Sequence, residues 1–401
     1  MPIRAQAYAW MAVVAVSSAP PLFAQQRTER EVVASIVRDG PQAVAIRAET
    51  EVVRREQVAR LVYPNPSFTY SREAAGFTEF LQAEQALPLF GARVALARAG
   101  VAATAAAEAD RDVRLWTVHA DAAAARVVAG QARVERARAH VGEVERLIGI
   151  LRIREREGEG SRFDRVRAEQ ELRDAIQLMT SAEVGLTEAR AALSGMLPRD
   201  MSVGTIAPYP LSDGPHFAVE TLVTRATSTR AELRALQHQN ERAVLEADAA
   251  RRARRPAPSV FGGLKRADDG QGRATGGVLG VSVGVPLFDT GRREAARWDA
   301  ERIRVDAERA AIEHRIQGEI AGAAEVLVVR QNALSGEPQA AADELMQMAE
   351  IAYREGEVGI LELLDAVRTA SRARSRSIDL RLDVRLAQIA LERAVGDTLW
   401  P

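Results

Sequence analysis

The chain has 401 residues, 47% hydrophobic and 27% charged, with a formal net charge of −1, 4% aromatic residues and no cysteine. The near-zero charge implies no bulk attraction to nucleic acid. The missing cysteines exclude disulfides, thiolate metal sites and a cysteine nucleophile. Much of the apolar content is alanine, which favours long helices over a large globular core, and nearly every cation is arginine, Lys265 being the one lysine.

The first 24 residues read as a secretory signal peptide. Arg4 supplies the positive charge, Ala5 to Val16 a short apolar run and Ser17 to Ala24 a small, proline-bearing end, with cleavage after Ala24. Twelve apolar residues are too few for a membrane-spanning helix. An uncleaved buried helix is the alternative. With no cysteine near that site, the mature chain is expected to carry no lipid anchor.

After the leader, a short helix is expected over 29–37 and a second from Pro41 to Val62. Asp39-Gly40-Pro41 separates them, and Tyr63-Pro64-Asn65-Pro66 stops the second. The alternation in Ser67-Phe68-Thr69-Tyr70-Ser71 predicts a strand over about 67–72, returning over about 78–88. Leu87-Pro88-Leu89-Phe90-Gly91-Ala92-Arg93 then joins strand to helix. No proline follows until Pro198, so one helix of about 68 residues, roughly 100 Å at 1.5 Å per residue, is expected from Phe90 to Glu157. Val127, Val134, Val141 and Ile148 recur every seven residues, with Gly130, Ala137, Val144 and Leu151 three places later, as in a coiled-coil seam. Gly158-Glu159-Gly160 ends the rod, and a helix returns from near Ser161 to Leu197.

Pro198, Pro208, Pro210 and Pro215 mark a linker over about 199–215. The plan then repeats. Val285-Pro286-Leu287-Phe288-Asp289-Thr290-Gly291-Arg292 restates the first joint 198 positions later. The units are expected at about 25–198 and 216–401, with helices from Ala218 to Arg225 and Arg230 to Arg255, strands over about 259–266 and 274–286, a long helix from Phe288 and a return helix from Gly359 to Val395. Pro338 predicts a break in the second long helix. Pro88, Phe90, Gly91, Pro286, Phe288 and Gly291 are the candidate joint residues.

In the fourth strand Leu279, Val281, Val283 and Val285 alternate with Gly280, Ser282 and Gly284. A barrel wall between lipid and water has this pattern; so does a strand covering a soluble core. Four strands leave two open edges, which lipid does not tolerate, so a membrane barrel would be shared among chains. Two chains would give eight strands and three would give twelve.

Arg251-Arg252-Ala253-Arg254-Arg255 directly precedes a strand and reads as a solvated ring near lipid head groups rather than a nucleic-acid patch. His119, His140, His216, His238 and His314 are scattered without metal-ligand spacing. With no nucleophile triad and no placed carboxylate pair, a non-enzyme without cofactor or metal is expected.

The doubled Pro-Leu-Phe joint, the proline-flanked strand starts and Tyr353-Arg354-Glu355-Gly356 leading into Leu361-Glu362-Leu363-Leu364-Asp365-Ala366 resemble the TolC family of outer-membrane efflux channels. The resemblance implies a mainly α fold with a small membrane β part. A homotrimer would share a 12-stranded β-barrel in the cell outer membrane, continued by an α-helical barrel in the periplasm of a Gram-negative bacterium. It implies a passive exit duct working with a periplasmic adaptor (a membrane fusion protein) and an inner-membrane transporter of RND type, in contact with outer-membrane lipid. Carried over by motif, Glu362 and Asp365 are gate acids at the periplasmic tip, Tyr353 is a latch residue, and Asp164 is the first-repeat equivalent of Glu362. Val358 stands where the family's basic latch residue would be, and Gly40-Pro41 replaces its usual Asn-Pro. The bland reading of Glu362 and Asp365 is an acidic first turn favoured by the helix dipole. Glu84 to Arg93 and Pro338-Gln339-Ala340-Ala341 resemble the heavy-metal (cobalt–zinc–cadmium type) branch, which implies divalent metal ions as substrate. Other readings are a structural periplasmic coiled-coil adaptor or stalk, and the duct of a type I secretion system.

Overall fold

The computed structural model describes residues 27–73, 78–89, 91–211, 218–255, 257–268, 272–285, 288, 290–336 and 339–400. The expectations for the leader, Phe90, Pro286, His216 and Pro338 lie outside these residues. Strand β1 (Arg27–Thr28) leads into α1 (Glu29–Asp39) and α2 (Pro41–Ala59), followed by strands β2 (Ser67–Glu73) and β3 (Thr78–Ala86). Helices α3 (Ala92–Trp116), α4 (Ala120–Glu157) and α5 (Arg162–Ser194) complete the first half. After β4 (Ile206–Ala207) come α6 (Val219–Thr229), α7 (Ala231–Arg252), β5 (Ala257–Asp268), β6 (Arg273–Gly284), α8 (Arg292–Ser335), α9 (Gln339–Glu355) and α10 (Ile360–Val395).

Local chemistry accounts for the ends. Thr28 and Glu31 form a reciprocal capping box on α1, and Pro41 opens α2 where its missing N–H costs nothing. Strands β2-β3-β5-β6 form one antiparallel sheet in that order, so β2 and β6 are its edges. Gly280 lies opposite Phe261, and any side chain there would overlap the Phe261 ring. Leu279 is 89% exposed, and Phe68, Tyr70, Leu81, Leu264, Val281 and Val283 are exposed with it.

Below the sheet the helices stand in a row. Near the strands the order is α2-α3-α7-α8; farther away it is α5-α4-α10, with α8 and then α9 against α10. Small residues set the spacing of the upper row: Ala95, Ala99, Gly100, Ala102, Ala103, Ala106 and Ala109 are the buried side of α3. Each half has its own apolar centre under its short helix. Val32, Ile36, Val127, Leu186 and Leu193 pack in the first, and Leu222, Ile316, Ile320, Leu391 and Trp400 in the second.

One expectation fails. The first long helix is not continuous from Phe90 to Glu157. It breaks at Thr117–His119, between α3 and α4. Thr117 and Val118 are consecutive β-branched residues, which crowd the preceding helical turn. Thr117 Oγ1 donates to the Arg114 carbonyl, and the His119 N–H donates to the Thr117 carbonyl at 2.9 Å, a turn too tight for a helix. Asp121 then meets the Ala122 N–H at 2.7 Å in the first turn of α4. The second long helix breaks as expected, between Ser335 and Gln339, so the two breaks fall at different heights.

Both strand-to-helix joints turn on a left-handed glycine, Gly91 at φ 73° and Gly291 at φ 63°. A Cβ at Gly291 would collide with the Ala250 carbonyl oxygen, whereas one at Gly91 would meet the movable Arg252 guanidinium at 3.0 Å. Gly158, at φ 78°, has open space around it. An alanine in this conformation costs about 1–2 kcal/mol, so Gly158→Ala should lose only that. Gly291→Ala should lose clearly more in thermal melting of the purified protein. Equal losses would contradict the close approach at the joint.

Candidate functional site

The end of the molecule far from the sheet is built by two helical turns of one design. In the first, the Gly158 N–H donates to Glu155 O at 3.3 Å and the Glu159 N–H to Arg154 O at 2.9 Å. In the second, Gly356 donates to Tyr353 O at 3.3 Å and Glu357 to Ala352 O at 2.9 Å. These are Schellman turns, and Gly158 and Gly356 supply the positive φ each requires. Between them the tips share an apolar cluster of Val144, Ile148, Leu151, Ala168, Tyr353, Ile360, Leu363, Leu364 and Val367, with Val358 packed against it.

The candidate acids lie outside that cluster. Glu362 is exposed in the first turn of α10, its carboxylate folded back toward Gly359. Asp365, one turn on and also exposed, lines a groove between α5 and α10 with Phe163, Arg167, Leu364 and Arg368. Tyr353 is buried and lines a different groove, between α4 and α9, with Arg154 and Leu147. The Arg154 guanidinium sits 5.1 Å from the Tyr353 ring centre. Burial pushes the Tyr353 hydroxyl's pKa up, Arg154 opposes this, and Asp164 adds to it. Within one chain the structure therefore sets Tyr353 beside Arg154, in a groove separate from that of Asp365. Of the joint residues, Pro88, Gly91 and Gly291 lie where the strands meet the helices, and Phe288 is 99% exposed.

What the sequence did not reveal is the ionic seam between the halves. Along α10, Arg368 pairs with buried Glu171 of α5, Arg374 with Glu143 of α4 at 3.2 Å, and Asp379 with Arg133 of α4 at 2.6 Å. Nearer the sheet, Arg385 pairs with buried Glu29 at 2.7 Å and Arg393 with Asp121. Farther up, Arg60 grips buried Glu246 with two bonds, at 2.6 and 2.8 Å. The only sequence signal was the density of arginines on α10, which named no partners. His140 is buried beside Glu143, its Nδ1 3.6 Å from that carboxylate. Among the described residues no group of three His, Cys, Asp or Glu side chains could hold a metal ion.

Residues 222–397, which run from α6 to the end of α10, match the family model described as outer membrane efflux protein. The match covers 176 of the 401 residues, all in the second half of the chain. Solved structures share its fold. The outer-membrane channel OprN is 20% identical with a TM-score of 0.69, over 93% of this chain and 91% of that one. The CmeC outer membrane channel of Campylobacter jejuni is 14% identical with a TM-score of 0.68, over 92% and 85%. The outer membrane protein VceC of Vibrio cholerae is 17% identical with a TM-score of 0.66, over 93% and 97%. A search of curated proteins finds no match.

The seam gives a pH dependence. Burial would raise the pKa of Glu143, but His140, Arg136 and Arg374 outweigh it and hold the carboxyl down to about 2, from 4.5. A depressed carboxyl contributes stability that is full above its unfolded pKa and is lost as pH falls through the folded one. Between pH 4.5 and 2 the wild type should therefore lose stability that Glu143→Gln lacks at every pH. Acid-unfolding curves that stay parallel for the two proteins across that window would contradict the assignment.

Proposed function

We propose that three copies of this chain close into one passive exit duct. A shared 12-stranded barrel would cross the outer membrane, and the helices would extend into the periplasm. The observation that carries this reading is the four-stranded sheet with both edges open and apolar residues bare along it. Unpaired strand edges are not viable in lipid, and closure is the only remedy. The helices repeat the logic, since α2 and α8 flank the upper row on the same sides as β2 and β6 flank the sheet. Exposed Val44, Val52 and Val58 on α2 and Ile303 on α8 fit a face covered by a neighbouring copy. No described helix is long and apolar enough to cross a membrane. The protein purified in mild detergent should have the mass of a trimer and conduct ions in planar bilayers. A stable monomer with full helical content would overturn the reading.

In this duct the tip is the gate. Three copies each of Glu362 and Asp365 around the axis would form acidic rings. Like charges about 4 Å apart repel by roughly 4 kcal/mol at an effective dielectric near 20, so such rings attract cations, multivalent ones most. Divalent or trivalent cations added at the tip side should block the wild-type channel. Glu362→Gln with Asp365→Asn should resist block and remain folded. Equal block in both would leave these acids as helix-capping residues only.

A periplasmic adaptor and an inner-membrane transporter of RND type would supply the cargo. The stretch from Glu84 to Arg93 and Pro338-Gln339-Ala340-Ala341, which resemble the heavy-metal branch of such channels, support divalent metal ions as that cargo. Loss of the protein should then sensitise cells to divalent transition metals, and unchanged metal tolerance with greater drug sensitivity would reassign the substrate.

A further inference from the structure

The arginine run at the end of α7 plays no part in the duct's closure or its gate. Its surroundings split it in two. Arg251 is paired with Asp299 at 2.7 Å, and Arg252 with Asp248 at 2.9 Å. Arg254 and Arg255 are exposed and have no ion pair among the described residues. A second bare pair lies close by. The space beside Gly291 is bounded by the Ala250 carbonyl and by the Arg254 side chain, 3.7 Å from where a Cβ would sit. Gly291 leads directly into Arg292 and Arg293, which are exposed and likewise without an ion pair among the described residues. The described acids nearest in sequence are engaged elsewhere: Asp299 and Asp248 as above, and Glu294 with Arg297 at 3.0 Å and with Trp298 Nε1 at 2.9 Å. Neither dipole nor capping accounts for Arg292 and Arg293, because a helix dipole disfavours cations at the start of a helix.

This cationic patch lies where the sheet ends and the helices begin. Leu89, Val283, Val285 and Phe288 are exposed in the same joint region. Apolar side chains bare to hydrocarbon, bordered by arginines whose stems can lie along them while their heads reach outward, describe the edge of a bilayer. Guanidinium groups recognise phosphate through paired N–H donors. We propose that Arg254, Arg255, Arg292 and Arg293 bind the phosphate groups of anionic phospholipids in the leaflet on the helical side of the membrane. Three copies would ring the duct with twelve such arginines and fix its height in the bilayer. This rests on the duct reading for the direction in which the strands enter lipid.

The test uses the full-length detergent-solubilised protein and the variant Arg254→Gln/Arg255→Gln/Arg292→Gln/Arg293→Gln. Retained lipid is read by native mass spectrometry after exposure to equal amounts of phosphatidylglycerol and phosphatidylcholine. The wild type should prefer phosphatidylglycerol, and the preference should fall by roughly fivefold for each arginine removed. The four-fold lysine variant at these positions, which keeps the charge, should retain a preference; this also covers the case in which the glutamine variant does not assemble. Equal retention of the two lipids by the wild type would overturn the proposal, as would a preference that survives in an assembled glutamine variant. Inorganic phosphate that displaces phosphatidylglycerol at equal concentration would make this a small-anion site and also overturn it. Bilayer conductance separates the two readings. A glutamine variant with altered ion selectivity and intact lipid preference places these arginines in the lumen and sinks the proposal. A non-conducting wild type that still shows the arginine-dependent preference sinks the duct and keeps the headgroup site.

Discussion

The four-stranded sheet leaves the outer backbone hydrogen bonds of β2 and β6 unmade within one chain. In β2 and β6 every outward N–H and C=O lacks a partner within the sheet. In water such an edge is an aggregation hazard; in hydrocarbon each unsatisfied group costs several kcal/mol. In the proposed duct, the alternation of Leu279, Val281 and Val283 with glycine and serine, the bare valines of α2 and the joints at Gly91 and Gly291 would all be explained by a sheet completed by its own copies. Those joints carry the strand direction into the helices, so the helical row inherits the order of the sheet.

Within the chain, the two halves are held by different forces at different heights. Alanine and glycine let α3 and α7 lie close near the sheet. Farther down, arginines of α10 reach acids on α1, α4 and α5, and Glu171 and Glu29 are buried where they are met. A buried ion pair stabilises little in net terms, yet breaking one half is costly because it strands the other charge. Such contacts define position more than strength. At the tip the apolar cluster around Tyr353 takes over from the ion pairs.

Much of this was legible in the sequence because its signals are local. Proline flanks and period-two alternation mark the strands, glycine marks the tip turns, and Pro338 marks the break between α8 and α9. The break at Thr117–His119 was not legible, because two β-branched residues only weaken a helix and neither proline nor glycine stands there. The seam was not legible either, because choosing Glu171 for Arg368 or Asp121 for Arg393 takes three-dimensional phase that a heptad count does not supply. Tyr353 and Asp365 look like parts of one site in the motif, yet Tyr353 lines a groove between α4 and α9 and Asp365 one between α5 and α10.

The central claim is that β2 of one copy pairs with β6 of the next. The chain has no cysteine, so single cysteines can be placed along β2 and β6 without background, for example at Thr69 and Ser282. Oxidative cross-linking of such double-cysteine chains in the outer membrane should give covalent dimers and trimers at matched positions, and none at mismatched ones. Monomers at every pair of positions, or disulfides formed only within a chain, would contradict the shared barrel.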